Sequence, residues 1–391
     1  MKQQIQDIAE RIFPKLVEIR RHIHSNPELS FKEYETCSYV FEKLGKMGLE
    51  PQKLSDTGVV CMIKGSGSKV IALRADMDAL PIFETNDVEY KSKNEGVMHA
   101  CGHDVHTTSL LGAAMILNEL KSELKGSIKL IFQPGEEKLP GGASIMIKDG
   151  VLENPKPEAI LGQHVYPELE AGKIGLKSGQ YMASADEVYL TIKGRGGHAA
   201  LPHRNIDPIV IASHVILGLQ QVVSRRAKPD TPTVLSFGKI EGKGATNIIP
   251  DEVKIEGTFR TFDEGWRKEA HTLIEEMARS IAESMGATCD AEVRRGYPFV
   301  NNDEALTYDV RSNAIEFLGA ENVVDLELRM TGEDFSFYSQ EMPGCFYRLG
   351  TGNEARGIKS PVHTSTFDVD EESLKIGASL MAWLTIKELE K

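Results

Sequence analysis

Three short apolar runs, each emptying into acidic or imidazole side chains, constrain this chain more than any other feature. Residues 70–75 (VIALRA) lead into Asp76 and Asp78, and residues 127–132 (SIKLIF) lead through Gln-Pro-Gly into Glu136 and Glu137. Residues 159–162 (AILG) lead into His164. An apolar run without alternation is what a strand covered on both faces requires. Helix-periodic stretches lie between the runs, notably 105–120, so the pattern is α/β. In open α/β sheets ligands bind outside the carboxyl ends of the strands. Three strand ends with metal-type donors therefore predict one site. A fourth wall is offered by MHACGHDVHT, where Cys101 and His103 stand two residues apart amid His99, Asp104 and His106.

Taken in order, the chain opens with a helical stripe over 4–24, with a break expected at Pro14. His22 and His24 end it and read as capping and surface residues. A second amphipathic helix covers 32–47, and 59–63 is a strand. Near residue 184 the rhythm changes. Strands at 187–193, 233–240, 252–261 and 288–294, with helices at 206–224 and 265–285, give the β-α-β-β-α-β order of a ferredoxin-like unit. The first rhythm then returns: a helix over 303–318, a strand over 323–326, the loop RMTGEDFSFYS, a strand over 345–350, the loop SPVHTSTF carrying His363, and a last helix from 371. The expected organisation is a first domain built from 1–183 and 295–391, interrupted by an inserted α+β domain at 184–294.

Composition narrows the partners. Forty-five Lys and Arg against 58 Asp and Glu leave a net charge of −13. That balance disfavours nucleic acid or an anionic membrane as the partner. No apolar run approaches spanning length, and MKQQIQDIAERIF lacks the apolar core of a signal peptide, so a cytoplasmic location is expected. The five cysteines are scattered and odd in number, which argues against a disulfide framework. Cys37, Cys61, Cys289 and Cys345 read as small buried apolar residues; Cys101 differs by its ligand-type neighbours.

The candidate donors are Cys101, His103, Glu136, Glu137, His164 and His363, with Asp76 and Asp78 beside them. A thiolate with imidazoles suits zinc, cobalt, nickel or manganese. Six donors exceed the needs of one tetrahedral ion, and two ions about 3.5–4 Å apart would use them all. In an extended or turn segment, adjacent Glu136 and Glu137 point in different directions. One can bind metal while the other acts as a general base.

The motifs RRHIHSNPELSFKEYET, ALRADMDALP, MHACGHDVHT, QPGEE, GQHV, GRGGHAALPH, TNIIPDEV, GTFRTF, MTGEDFSFY and SPVHTSTF run through nearly the whole chain in order. In them the chain resembles the metal-dependent amidohydrolases of the aminoacylase and carboxypeptidase G superfamily. It is similar to the branch that holds hippurate hydrolase, auxin-amino-acid conjugate hydrolases and N-acetyl-diaminopimelate deacetylase.

The resemblance implies a mixed-sheet, dinuclear metallopeptidase-like catalytic domain and dimerisation through the inserted domain. It implies Cys101, His103, Glu137, His164 and His363 as metal ligands, Glu136 as the base and Asp78 as the orienting acid. Where the wider superfamily has a histidine ligand this chain has Asp76, so Cys101 and His103 compensate. Cys101 then takes a place otherwise given to a bridging carboxylate, and Asp104 supports it. His198 would reach the partner's site and donate to the developing oxyanion, and Asn247 and Arg260 would hold the substrate carboxylate. Outside the resemblance, His198 reads as a loop residue, Asn247 as a turn former and Arg260 as facing solvent. His99 and His106 read as structural or supporting, His203 as lining the same cleft, His214 as a core or interface residue and His271 as exposed. The expected activity is hydrolysis of N-acyl amino acids (N-acetyl, N-benzoyl or similar) with two divalent ions per subunit. Manganese is the first expectation, with zinc, cobalt or nickel as alternatives. A dipeptidase or exopeptidase on the same scaffold, N-acetyl-diaminopimelate deacetylation, and a non-catalytic binding homologue are the competing readings.

Overall fold

The computed structural model describes residues 1–391. The chain opens with helix α1 (Lys2–Ser25) and α2 (Tyr34–Lys46). α1 runs straight through Pro14, against the expected break. A proline inside a helix costs about 3 kcal/mol, through the lost hydrogen bond and the clash of its ring with the preceding turn. Ile5 and Ile8 before the proline and Leu16, Ile19 and Ile23 after it are all buried in the same core, each stabilising by roughly 1.5–3 kcal/mol. Packing on both sides of the proline outweighs the local defect.

Strands β1 (Gln52–Leu54), β2 (Gly58–Ile63) and β3 (Val70–Asp76) follow, then α3 (His103–Glu119), β4 (Ser127–Gln133) and α4 (Gly142–Lys148). Next come β5 (Ala159–Glu170), β6 (Ile174–Leu176) and β7 (Gly179–Met182). The chain then passes through β8 (Ala185–Lys193), β9 (Gly197–His198), α5 (Pro208–Gln221), β10 (Thr233–Glu241), β11 (Ile248–Ile249), β12 (Glu252–Thr261), α6 (Glu264–Ser284) and β13 (Thr288–Tyr297). It ends with β14 (Val300–Asn302), α7 (Glu304–Leu318), β15 (Val323–Asp325), α8 (Phe335–Glu341), β16 (Gly344–Gly352) and α9 (Ser373–Leu389). The stretch expected as an uninterrupted loop around GEDFSFYS thus contains α8.

The chain divides into two compact units: Met1–Tyr181 with Val300–Leu328 and Asp334–Lys391, and Met182–Phe299 with Arg329–Glu333. In the first, eight strands form a mixed sheet in the order β1-β2-β4-β3-β5-β16-β6-β15. Its centre is parallel: β3 pairs with β4 and β5, and β5 with β16. β3 and β16 are buried along their whole lengths, as strands covered on both faces are, with the charged Arg74, Asp76 and Arg348 buried among their apolar residues. Helices α1, α3 and α9 pack on one another and close the core with Leu16, Leu110 and Leu380. β3 and β4 end together at Asp76 and Gln133, whereas β5, expected to end at residue 162, runs on to Glu170 and carries His164 within the strand, paired with Arg348 of β16.

The second unit has its own core of Val188, Ile211, Val215, Ile255, Phe259 and Ile274 among others. Its four strands lie in the order β10-β12-β8-β13, all neighbours antiparallel. With α5 and α6 this is the ferredoxin-like arrangement. Arg329–Glu333 joins this unit through the Arg329 carbonyl, which accepts the Ala183 N–H at 3.0 Å.

Candidate metal centre

The Cys101–His103 segment is shaped by one glycine. Gly102 has φ +83°, and a Cβ there would lie 2.5 Å from a Val165 methyl. Only glycine fits this turn, which puts Cys101 just ahead of α3 and His103 at its first residue. Cys101, His103 and His164 are buried, Glu137 is partly covered, and His363 is exposed. The site therefore has a closed floor and one open wall.

Two donor groups share the thiol. Donor atoms of Cys101, His103 and His164 lie within 4.8 Å of one another, and so do those of Cys101, Glu137 and His363. Glu136 forms a third such group with His103 and Glu137. All five expected ligands and the expected base lie in this cluster.

Each donor is oriented from behind. His103 Nδ1 is 3.1 Å from Asp78 Oδ1, which turns Nε2 into the cluster. His164 Nδ1 donates to the Val165 carbonyl at 2.8 Å, and its Nε2 is 3.4 Å from Cys101 Sγ. Burial and nearby Arg348 hold His164 well below the usual imidazole range, so it is neutral with a lone pair facing the thiol. His363 sits at φ +64°, fixed by its N–H to the Ala100 carbonyl at 2.7 Å. Such a conformation costs about 1 kcal/mol or more and clusters at functional sites.

Asp78 holds more than an imidazole. It accepts the N–H groups of Glu136 and Glu137, both at 3.0 Å, and the Ser30 hydroxyl at 2.6 Å. These bonds, with that of His103, overcome burial and lower its carboxyl. The orienting acid therefore sets the backbone of the base and of a ligand together.

The donor set fits a divalent ion. His103 Nε2 and Glu137 Oε1 are buried without a hydrogen-bond partner. Glu137 Oε1 is 3.2 Å from His363 Nε2, a distance without hydrogen-bond geometry. The cluster draws protons as a site of excess negative charge does. Burial alone would lower His103, but Asp76 and Cys101 raise it well above its ordinary value. The Cys101 sulfur and the Glu137 carboxylate close to its ring push His363 up to about 10. A cation in their midst would satisfy the same field.

Asp76, the departure from the wider superfamily, has other duties. Its carboxylate accepts from His106 Nδ1 at 2.5 Å and from Arg74 at 2.7 Å. His106 Nε2 accepts the Val165 N–H at 2.9 Å. His106 is thus a neutral strut from β3 to the backbone beside His164, the supporting role expected of it. Asp104 serves elsewhere than expected: it accepts from Arg20 at 2.8 Å and from His24 at 2.9 Å, anchoring α1 to α3. His99 is buried with neither ring nitrogen bonded, and burial pushes it down to about 3.

Three site residues escaped the sequence reading. Asp334 accepts from Arg74 at 2.6 Å, from Gln133 at 2.8 Å and from the Ala143 N–H at 2.9 Å. These bonds lock the Gln-Pro-Gly turn from below, and the Asp334 N–H lies 3.4 Å from Glu136 Oε1. Gln133 ends β4, and Arg74 lies two residues before the end of β3. Their signal was present, since polar side chains in fully buried strands need partners.

His198, Asn247 and Arg260 belong to the second unit. β9 and β11 pair His198 with Ile248, and Ala199 donates to the Asn247 carbonyl at 3.0 Å. His198 and Asn247 thus share one exposed ribbon. His198 Nδ1 accepts the Ala200 N–H at 3.1 Å, which puts the proton of the neutral ring on Nε2. Arg260 is half-buried, and burial lowers its guanidinium. His203 and His214 are exposed. His271, expected to be exposed, bonds Asp186 at 2.8 Å beside Arg267.

A mixed α/β sheet that gathers a shared cysteine, imidazoles and paired glutamates in one cluster is the scaffold of a dinuclear metallohydrolase. The description "Peptidase family M20/M25/M40" matches residues 72–386, and the chain belongs to that family. It is 44% identical over 382 residues to the IAA-amino acid hydrolase ILR1-like 4 of Arabidopsis thaliana, covering 96% of this chain and 86% of that one. It is 41% identical over 378 residues to the N-acetyl-L-cysteine deacetylase of Bacillus subtilis, covering 96% and 88%. Among solved structures, the Bacillus subtilis YXEP protein, described as a dinuclear metal binding peptidase from the M20 family, superposes with a TM-score of 0.83. That match has 36% identity over 97% of this chain and 99% of that one. No helix of the chain is long and apolar enough to cross a membrane.

Proposed function

We propose that the chain hydrolyses the amide bond of N-acyl amino acids, with Cys101, His103, Glu137, His164 and His363 holding two divalent ions, manganese foremost. The observation that carries this reading is the double membership of Cys101 in two donor groups, with Glu136 against both His103 and Glu137. The relatives named as an IAA-amino acid hydrolase and an N-acetyl-L-cysteine deacetylase support the substrate class.

When bound, the ions supply Lewis acidity toward water and the scissile carbonyl. Glu136 takes the proton of the attacking water and returns it to the leaving amine. Asp78 keeps Glu136 and Glu137 in register through their amides. His198 Nε2–H donates to the oxyanion, brought by a second copy of the chain, and Asn247 and Arg260 hold the amino acid carboxylate. The second unit serves as the dimerisation domain of a cytoplasmic homodimer.

A panel of N-acetyl, N-benzoyl and long-chain acyl amino acids beside dipeptides, run with Mn, Zn, Co and Ni, tests the proposal. Cleavage of acyl amino acids is expected. Cleavage of dipeptides alone would give the protein an exopeptidase role instead. Glu136→Gln should keep the metal content and lower kcat by about 10²–10⁴-fold; retained turnover removes Glu136 from its role.

A further inference from the structure

Three consecutive amides point into carboxylates. Those of Glu136 and Glu137 reach Asp78, and that of Gly135 donates to Glu33 Oε1 at 2.8 Å. Glu33 lies about one hundred residues earlier and is fully buried. It stands at the start of α2, yet its side chain does not cap that helix. Instead Oε1 also accepts the Phe31 N–H at 2.9 Å, and Oε2 accepts the Thr57 hydroxyl at 2.8 Å. Phe31, at φ +64°, lays its ring on Gly135, whose own φ is +59°, and a Cβ on Gly135 would lie 2.3 Å from that ring. One carboxylate oxygen thus staples two left-handed turns together, and the second turn leads directly into the base and a ligand.

We infer that Glu33 is a positioning residue of the hydrolytic site: by gripping the Gly135 amide it sets the direction in which Glu136 and Glu137 leave the turn. The inference rests on the hydrolase reading above. Burial, followed by the charge of Asp78, pushes Glu33 up to about 7. All three partners donate to it, so Glu33 acts here as a hydrogen-bond acceptor, and an amide oxygen can replace its Oε1. In Glu33→Gln the amide oxygen can accept from Phe31 and Gly135 while its NH2 donates to Thr57.

The test compares Glu33→Ala, Glu33→Gln, Glu33→Asp and Thr57→Val as metal-loaded enzymes, with kcat and KM on the best acyl amino acid and Co2+ affinity by titration. Glu33→Ala should lower kcat and Co2+ affinity each by about 10–100-fold, with KM within about threefold of wild type. Glu33→Gln should restore both to within about threefold, and Thr57→Val, which leaves Oε1 in place, should match wild type. Glu33→Asp keeps the charge but withdraws the oxygen, so it should resemble the alanine variant and replaces it if that variant does not fold. Wild-type kcat and Co2+ affinity in the alanine or aspartate variant overturn the inference, as does a glutamine variant no better than alanine. If the wild-type enzyme cleaves no acyl amino acid, the hydrolase reading fails, while the Co2+ titration still decides the role of Glu33.

Discussion

At the scale of residues, this protein places charge inside and pairs it. His24 sits fully buried between Asp104 at 2.9 Å and Glu84 at 3.2 Å, far from the surface role its helix-end position suggested. Burial and Arg20 pull its pKa down, but the two carboxylates win and raise it above 6.5. The folded state therefore binds this proton more tightly than the unfolded chain does. The stabilisation is complete below about pH 6.5 and is lost as pH rises through the raised value. Urea midpoints measured from just below 6.5 upward should fall in the wild type, and His24→Asn should lack that component. Equal slopes in both would show that His24 does not carry it.

At the scale of elements, single positions decide where segments sit. Gly102 lets the Cys101 loop pass against Val165 and start α3 at His103. Gly102→Ala forces a left-handed alanine and a clash together. The expected outcome is a loss of about 2 kcal/mol of stability and about 10-fold or weaker metal binding, read by chemical unfolding of the apo protein and by metal titration. On β4, Lys129 is buried, and its ammonium donates to the carbonyls of Val151, Glu153 and Pro155 at 2.8, 2.8 and 2.7 Å. Burial pushes it down to about 8, yet three acceptors match the three donors of the charged form. Lys129→Met should cost about 3 kcal/mol by leaving carbonyls unpaired. Activity should be intact, since these bonds tie down the loop after α4 and not the site.

At the scale of the whole molecule, each unit closes its own hydrophobic core. The second unit leaves Val210 and Leu217 of α5 exposed, the latter at 71%. Such an exposed apolar helix face is the kind of surface on which the proposed dimer would pair. The double variant Val210→Glu and Leu217→Glu should sediment as a monomer, keep its fold by circular dichroism, and lose most turnover if His198 acts across the interface. A monomeric variant with full activity would return His198 to its own chain.

The sequence by itself determined the rhythm of the sheet, because a strand covered on both faces must be largely apolar. It also pointed to the donor cluster, because donor side chains follow such strands closely in the sequence, although His164 itself lies within β5 and His103 opens α3. Those are local properties, legible from residue type and spacing. Only the tertiary structure decided the supports. Pro14 is tolerated because packing on both sides outweighs the cost of a proline inside the helix. Asp104 turns to Arg20 and His24 because buried charges must be paired wherever the fold brings partners. Asp334, Arg74, Gln133 and Glu33 hold the turn before Glu136 through bonds that span up to 260 residues. Spacing along the chain carries no record of such contacts, because they form only when distant strands and loops are folded against one another.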